Sequence, residues 1–160
     1  MKKGCLFVAL SALVILLSII LYYNYKDYNK ERLYRGVKSF YKKECKKERG
    51  DCVINFKDII KQDWDSVYII SDKTPDKIYN LKNIDQATPS EFYTNAIFIK
   101  GDSVVYQESF YPDYGYFDFF DRHEKTILFQ TDSTLELSPS QAKFKVESDN
   151  GTLFMLRPVK

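Results

Sequence analysis

Three hydrophobic patterns follow one another along the chain. Cys5 to Tyr23 (CLFVALSALVILLSIILYY) is a continuous apolar run relieved only by Ser11 and Ser18. Wound as a helix at about 1.5 Å per residue it reaches about 28 Å, close to a hydrocarbon core of about 30 Å. Tyr22, Tyr23 and Tyr25 stand where an interfacial aromatic belt would lie. A second pattern has the helical period. Leu33, Val37, Phe40, Tyr41 and Cys45 recur at i, i+4, i+7, i+8 and i+12, one face of an amphipathic helix, with Gly50 as its stop. From Cys52 onward the period shortens towards two, and strands take over.

The strand segments are short. Cys52 to Phe56 alternates, and Ser66 to Ile70 (SVYII) is a β-branched and aromatic run. Asn95 to Lys100 and Ser103 to Phe110 face each other across Gly101-Asp102, a two-residue connection suited to a primed hairpin turn. Lys125 to Gln130 and Thr134 to Leu137 are further strands. Ala142 to Glu147 and Thr152 to Arg157 flank Ser148-Asp149-Asn150-Gly151, whose Asn-Gly is the strongest hairpin signal in the chain. One helix is expected over Thr74 to Lys82, with Thr74 as N-cap and Pro75 at the first helical position. A second short turn is expected at Ser90 to Tyr93. The fold class is therefore α+β: a transmembrane helix, an amphipathic stalk helix, then a small domain with an antiparallel sheet and one or two short helices.

Charge divides the same way. The whole chain carries 24 Lys+Arg and 22 Asp+Glu, a net charge of +2. Residues 26–50 hold ten basic and four acidic residues, and residues 51–160 hold twelve and eighteen. The expected organisation is 1–25 signal-anchor helix, 26–50 basic helical stalk and 51–160 acidic domain. The residues after the apolar run, Tyr22, Tyr23, Asn24 and Tyr25, make a poor signal-peptide cleavage site, and Cys5 precedes the run, where no lipobox cysteine would be. An uncleaved signal anchor is the expected state. Basic residues flank both ends, but a basic start followed at once by an apolar run reads as an export signal, so the N-terminus is placed in the cytoplasm and the body outside. The stalk is read as a helix whose apolar stripe packs on the following domain. Attachment to anionic lipid headgroups is the second reading. Nucleic acid is not an expected partner, because no recognised binding motif accompanies the basic residues.

The chemistry-bearing residues are few. One His and three Cys exclude multi-His metal sites and a four-Cys zinc ribbon. Cys45 and Cys52 are too far apart for a CxxC redox pair. They are expected to form a disulfide in an oxidising compartment, against the alternative of two buried thiols. Asp63-Trp64-Asp65 offers two carboxylates at i, i+2, for a cation or for acid/base work, but Asp is also a common turn residue and Trp an anchor. The lone His123 lies in a polar, turn-like stretch with no nucleophile motif beside it. No catalytic residue, metal or cofactor is assigned. Phe110 to Phe120 (FYPDYGYFDFF) is dense in aromatic rings. Within it Tyr111, Asp113, Tyr114, Tyr116 and Asp118 are the binding candidates, since flat amphipathic rings give contact area at low entropy cost. The alternative is that these rings fill the core of the sheet.

Cys52-Val53-Ile54, Phe56, the Asp63-Trp64-Asp65-Ser66-Val67-Tyr68-Ile69-Ile70 stretch and Ala142-Lys143-Phe144-Lys145-Val146 carry a resemblance. Over roughly residues 50–160 the chain resembles a group of small bacterial membrane-anchored proteins and lipoproteins without an established activity. It departs from the lipoprotein members in lacking a lipobox. The group's similarity in size and placement to immunity proteins against secreted toxins is an analogy. The chain as a whole reads as a single-pass, membrane-tethered extracytoplasmic module that binds a protein through an acidic, aromatic surface, as an immunity or envelope accessory protein. An envelope hydrolase using acidic residues and a purely structural membrane protein are the alternatives.

Overall fold

The structure is a computed structural model. It describes residues 13–22, 31–45, 52–71, 74–84, 94–110, 126–131, 133–148, 151 and 153–159. The chain forms two compact units, Met1–Glu31 and Arg32–Lys160. In the first, residues 13–22 form a helix, α1, with every side chain exposed from Leu13 to Tyr22. Ser18 Oγ donates to the Val14 carbonyl at 2.8 Å, returning its polar group to the helix backbone. Among the described residues, no helix is long and apolar enough to cross a membrane. The rest of the apolar run lies outside them.

The second unit is α+β. Its strands are β1 (Val53–Asn55), β2 (Ser66–Ile70), β3 (Thr94–Lys100), β4 (Ser103–Phe110), β5 (Thr126–Phe129), β6 (Leu135–Leu137), β7 (Lys143–Glu147) and β8 (Leu153–Pro158). They make two four-stranded sheets, ordered β1-β7-β8-β5 and β4-β3-β2-β6. Every pairing is antiparallel except β5 with β8, which is parallel. The expected single antiparallel sheet is thus corrected on two counts. The chain changes sheet four times, between β1 and β2, between β4 and β5, between β5 and β6, and between β6 and β7. β5 therefore enters the first sheet alone and aligns with β8 without a direct hairpin.

Both hairpins read from the sequence are present. Gly101 takes φ +58°, the sign that a two-residue primed turn requires at its first central position, and Gly151 takes φ +76° between β7 and β8. β2 and β3 are buried almost residue by residue, because both faces of their sheet are covered. One face joins the main core. On the other, Tyr68, Ile70, Ile97, Ile99 and Val104 pack with Ile78 and the half-buried Leu81 and Ile84.

Two local expectations are corrected. Phe56 does not continue β1 but opens the one-turn helix α3 (Phe56–Ile59). Asn55 is its N-cap, accepting the Lys57 amide at 2.9 Å, and this lets the Phe56 ring turn inward to stack on Phe144 with centroids 4.5 Å apart. The expected helix over 74–82 contracts to α4 (Asp76–Tyr79), with Pro75 at the cap position and no side-chain cap. Lys82 leaves it to bridge Ser103, and Asn83 takes φ +61°. The expected turn at 90–93 lies outside the described residues.

The amphipathic stripe is a core element. It forms α2 (Arg32–Phe40) and widens into a π-helical turn over Tyr41–Cys45. Gly50, the expected stop, lies outside the described residues. Leu33 and Val37 are fully buried and Tyr34 nearly so, within one cluster that includes Ile54, Phe144 and Phe154 of the first sheet and Val67, Phe98 and Tyr106 of the second. Burying each such aliphatic side chain contributes about 1.5–3 kcal/mol on folding. Tyr34 and Tyr41 both meet the Phe154 ring edge-on, at 5.8 and 5.5 Å.

α2 crosses α3 at Gly36. A Cβ built there would stand 2.1 Å from Ile59 Cγ2 and 3.1 Å from its Cβ, so the Ile59 side chain sits on Gly36 in the space that any larger residue would fill. Gly36→Ala gains helix propensity of up to about 1 kcal/mol but overpacks the crossing by about 1–3 kcal/mol. A net loss of stability is expected in a denaturant titration, with partial recovery in the Gly36→Ala/Ile59→Ala double variant. A Gly36→Ala protein more stable than the parent would contradict this reading of the crossing.

Candidate functional site

The binding candidates read from the sequence, Tyr111, Asp113, Tyr114, Tyr116 and Asp118, lie outside the described residues, as does His123. Phe110, which opens that aromatic segment, ends β4 and is buried against Phe129, centroids 5.8 Å apart. The first ring of the segment therefore belongs to the core.

Asp63 and Asp65 are held by different partners. The Asp63 carboxylate pairs with the Lys100 ammonium at the end of β3. Asp65 Oδ2 accepts the Gly101 amide at 2.9 Å, and the Asp65 amide donates to the Ile99 carbonyl at 2.7 Å. The pair thus brackets the β3–β4 turn. Between them Trp64 is buried, donating Nε1–H to the Ile60 carbonyl at 3.3 Å and meeting Phe98 edge-on at 5.1 Å. Turn and anchor account for this motif. Among the described residues, no three His, Cys, Asp or Glu side chains converge as a metal site would require.

Cys45 and Cys52 form the expected disulfide, with Cα atoms 5.3 Å apart. It joins the end of the π-helical turn to the entry of β1, where the Cys52 carbonyl accepts the Val146 amide at 2.8 Å. Closing so short a loop constrains the unfolded chain by about 2–3 kcal/mol in the entropic model.

The most concentrated polar chemistry lies at the other end of α2. Glu108, on β4, is 6% exposed and points into the core side of the second sheet. Its Oε2 accepts the Leu33 amide at 2.8 Å and its Oε1 the Tyr34 amide at 3.2 Å. The Tyr106 hydroxyl donates to Glu108 Oε2 and accepts the amides of Arg32, at 2.9 Å, and Leu33, at 3.2 Å. Three of the four amides that a first helical turn leaves without helical partners are satisfied from a neighbouring strand. A carboxylate there also meets the positive end of the helix dipole. The Arg32 guanidinium lies 5.5 Å over the Tyr106 ring. Sequence reasoning misses this node, although its signal is visible. In SVVYQESF, Glu108 alternates with Tyr106 and Phe110 and so falls on their apolar face, where a carboxylate needs a reason.

A smaller cluster joins α4 to β6. Lys77 Nζ pairs with Glu136 at 2.7 Å and sits 4.6 Å over the Tyr68 ring. Burial, and then the hydrogen bond with Glu136, push the Tyr68 phenol above its usual range. The Lys77–Glu136 pair is half-exposed, and such pairs contribute little.

Compared with protein-family models, with curated proteins and with solved structures, the chain matches none.

The Glu108 node has a measurable signature. Glu108→Gln keeps the shape but replaces a charged acceptor by a neutral one and adds a donor facing amides. A loss of about 2–3 kcal/mol is expected by denaturant titration. Burial, and then the adjacent Glu108 charge, raise the Tyr106 phenol far above its ordinary value near 10. The unfolded chain ionises this phenol near pH 10 while the folded chain keeps it protonated. The associated stability is therefore complete below pH 10 and declines as pH rises beyond it. Tyr106→Phe should flatten that alkaline decline by about 1.4 kcal/mol per pH unit, and identical slopes in parent and variant would show that the phenol is not sheltered.

Proposed function

We propose that this chain is a single-pass, membrane-tethered extracytoplasmic module that binds a protein partner and performs no catalysis, as an immunity or envelope accessory protein would. The observation that carries the compartment is the Cys45–Cys52 disulfide, a cross-link that persists where the surroundings are oxidising. The Cys5–Tyr23 run supplies the tether, and the short basic start before it supplies the export signal. Tyr111, Asp113, Tyr114, Tyr116 and Asp118 are the proposed partner contacts, on the grounds of their chemistry. The places taken by Asp63 and Asp65, an ion pair and a turn cap, support a structural role for the two carboxylates that a hydrolase reading would use.

Labelling of intact cells with a membrane-impermeant maleimide tests the compartment. Cys45 and Cys52 should stay unlabelled until a reductant is added, and should then label without lysis. Labelling without reductant, and only after lysis, would put the body in the cytoplasm. The partner surface is tested by affinity capture on the full-length chain. Changing Asp113, Tyr114 and Asp118 together to Ala should lower partner recovery at least tenfold at unchanged stability. Undiminished recovery would remove the patch from the proposal.

A further inference from the structure

We infer that the outward face of α2 and its π-helical turn, carrying Arg35, Lys38, Lys42 and Lys43, docks on a surface of anionic lipid headgroups. The two sides of this helix differ completely. Leu33, Tyr34 and Val37 are in the core, with Phe40 and Tyr41 packed against it. On the other side Arg35, Ser39, Lys42 and Lys43 are exposed. Lys38 is half-buried, with its ammonium 5.7 Å over the Tyr34 ring. Residues 32–43 hold five Lys and Arg and no Asp or Glu, and Glu44 is the first acid after them.

Helix stability does not account for this row. An exposed helix face gains from Glu and Lys set three or four residues apart, and the composition of 32–43 allows no such pair within it. The macrodipole favours Lys42 and Lys43 towards the C-terminal end. It disfavours Arg32 and Arg35 in the first turn, which holds no acidic residue. An anionic surface lying along the helix favours all of them at once.

The make-up of the face selects the occupant. Specific protein contacts are built round aromatic or aliphatic anchors in a desolvated centre, and Lys and Ser are depleted from them. Here the apolar side chains are spent in the core, and none of the exposed residues from Arg35 to Glu44 is apolar. What remains is positive charge without an anchor, which suits a fluid layer of negative headgroups. A bilayer is also what the chain brings with it. Only residues 24–31 separate the apolar run from Arg32, so the proposed tether keeps headgroups at high local concentration for α2.

Docking would orient the body, because α2 is fixed to it at both ends, by Glu108 and by the Cys45–Cys52 disulfide. Residues 51–160, with eighteen acidic residues against twelve basic ones, are repelled as a whole by the same surface. The α2 face therefore turns towards the headgroups and the acid-rich bulk away from them. Headgroup docking rests on the tether of the proposed function, but not on the compartment or the aromatic segment.

The test uses the full-length chain in lipid nanodiscs of phosphatidylcholine, with or without phosphatidylglycerol. A water-soluble succinimidyl ester acylates accessible lysines, and mass spectrometry reads the rate at each. At low salt Lys42 and Lys43 should react at least tenfold more slowly in the phosphatidylglycerol discs, and the difference should vanish at high salt. Lys82 and Lys143, exposed elsewhere on the body, should react equally in both. At about fivefold per cation near such a surface, Lys42→Gln/Lys43→Gln should weaken the contact about 25-fold, read as restored reactivity of Lys38 at an unchanged melting temperature. Equal Lys42 and Lys43 rates in the two discs would overturn the inference, as would equal slowing of Lys82 and Lys143. Protection by polyglutamate in phosphatidylcholine discs, without protection by phosphatidylglycerol, would overturn it in favour of an acidic protein. A chain that fails to co-purify with the discs would remove the tether itself, and docking with it.

Discussion

The body depends on one buried carboxylate. Glu108 takes a charge out of water on a strand and returns it to the open amides of a helix that arrives from more than seventy residues earlier in the chain. Left unpaired, such a charge would cost several kcal/mol. Set against the helix N-terminus and the Tyr106 hydroxyl, it instead fixes where α2 begins and how it is aimed. The opposite end of α2 is fixed covalently, through the disulfide to the start of β1. One clamp belongs to an edge strand of the second sheet and the other to an edge strand of the first. α2 thus ties the two layers together, and Leu33 and Val37 fill the space between with no exposure.

Much of this architecture is legible in the sequence because short-range rules govern it. Gly101 and Gly151 mark the hairpins through backbone conformation, and the Leu33 to Cys45 stripe marks a buried helix through its period. The disulfide is legible by elimination among three cysteines. What the sequence conceals is set by contacts remote along the chain. The parallel partnership of β5 with β8 leaves no local trace, since periodicity records which face of a strand is buried but not what lies beside it. Asn55 and Phe56 mislead because a cap and the next strand residue look alike when alternation is the only guide. Glu108 escapes notice for a related reason. A carboxylate among Tyr and Phe reads as a surface residue until the helix end that it serves is in view.

Charge is segregated more finely than segment totals suggest. The acidic excess of residues 51–160 coexists with a sheet face on which cations stand in adjacent register. Around the β3–β4 turn the opposite arrangement holds: Asp63 and Asp65 bind Lys100 and the Gly101 amide, and Lys82 pairs with Asp102 at 2.7 Å. The two regions use similar residues to different ends. Around the turn, each carboxylate is committed within the fold. On the sheet face, the Arg157 guanidinium is held through Nε by the Gln130 side chain.

The strand order also dictates when the molecule can exist. β8 lies between β7 and β5 and delivers Phe154 and Leu156 to the core, yet it is made of residues 153–158. β1, almost a hundred residues earlier, has β7 as its partner. The β2-β3-β4 meander can close early through local contacts, while the first sheet must wait for almost the whole chain. A growing chain would therefore leave the first sheet unformed until its last strand arrives. A product stopped short of β8 would lack Phe154 and Leu156 from its core and the strand that joins β7 to β5, so that strand order itself acts as a check on completeness.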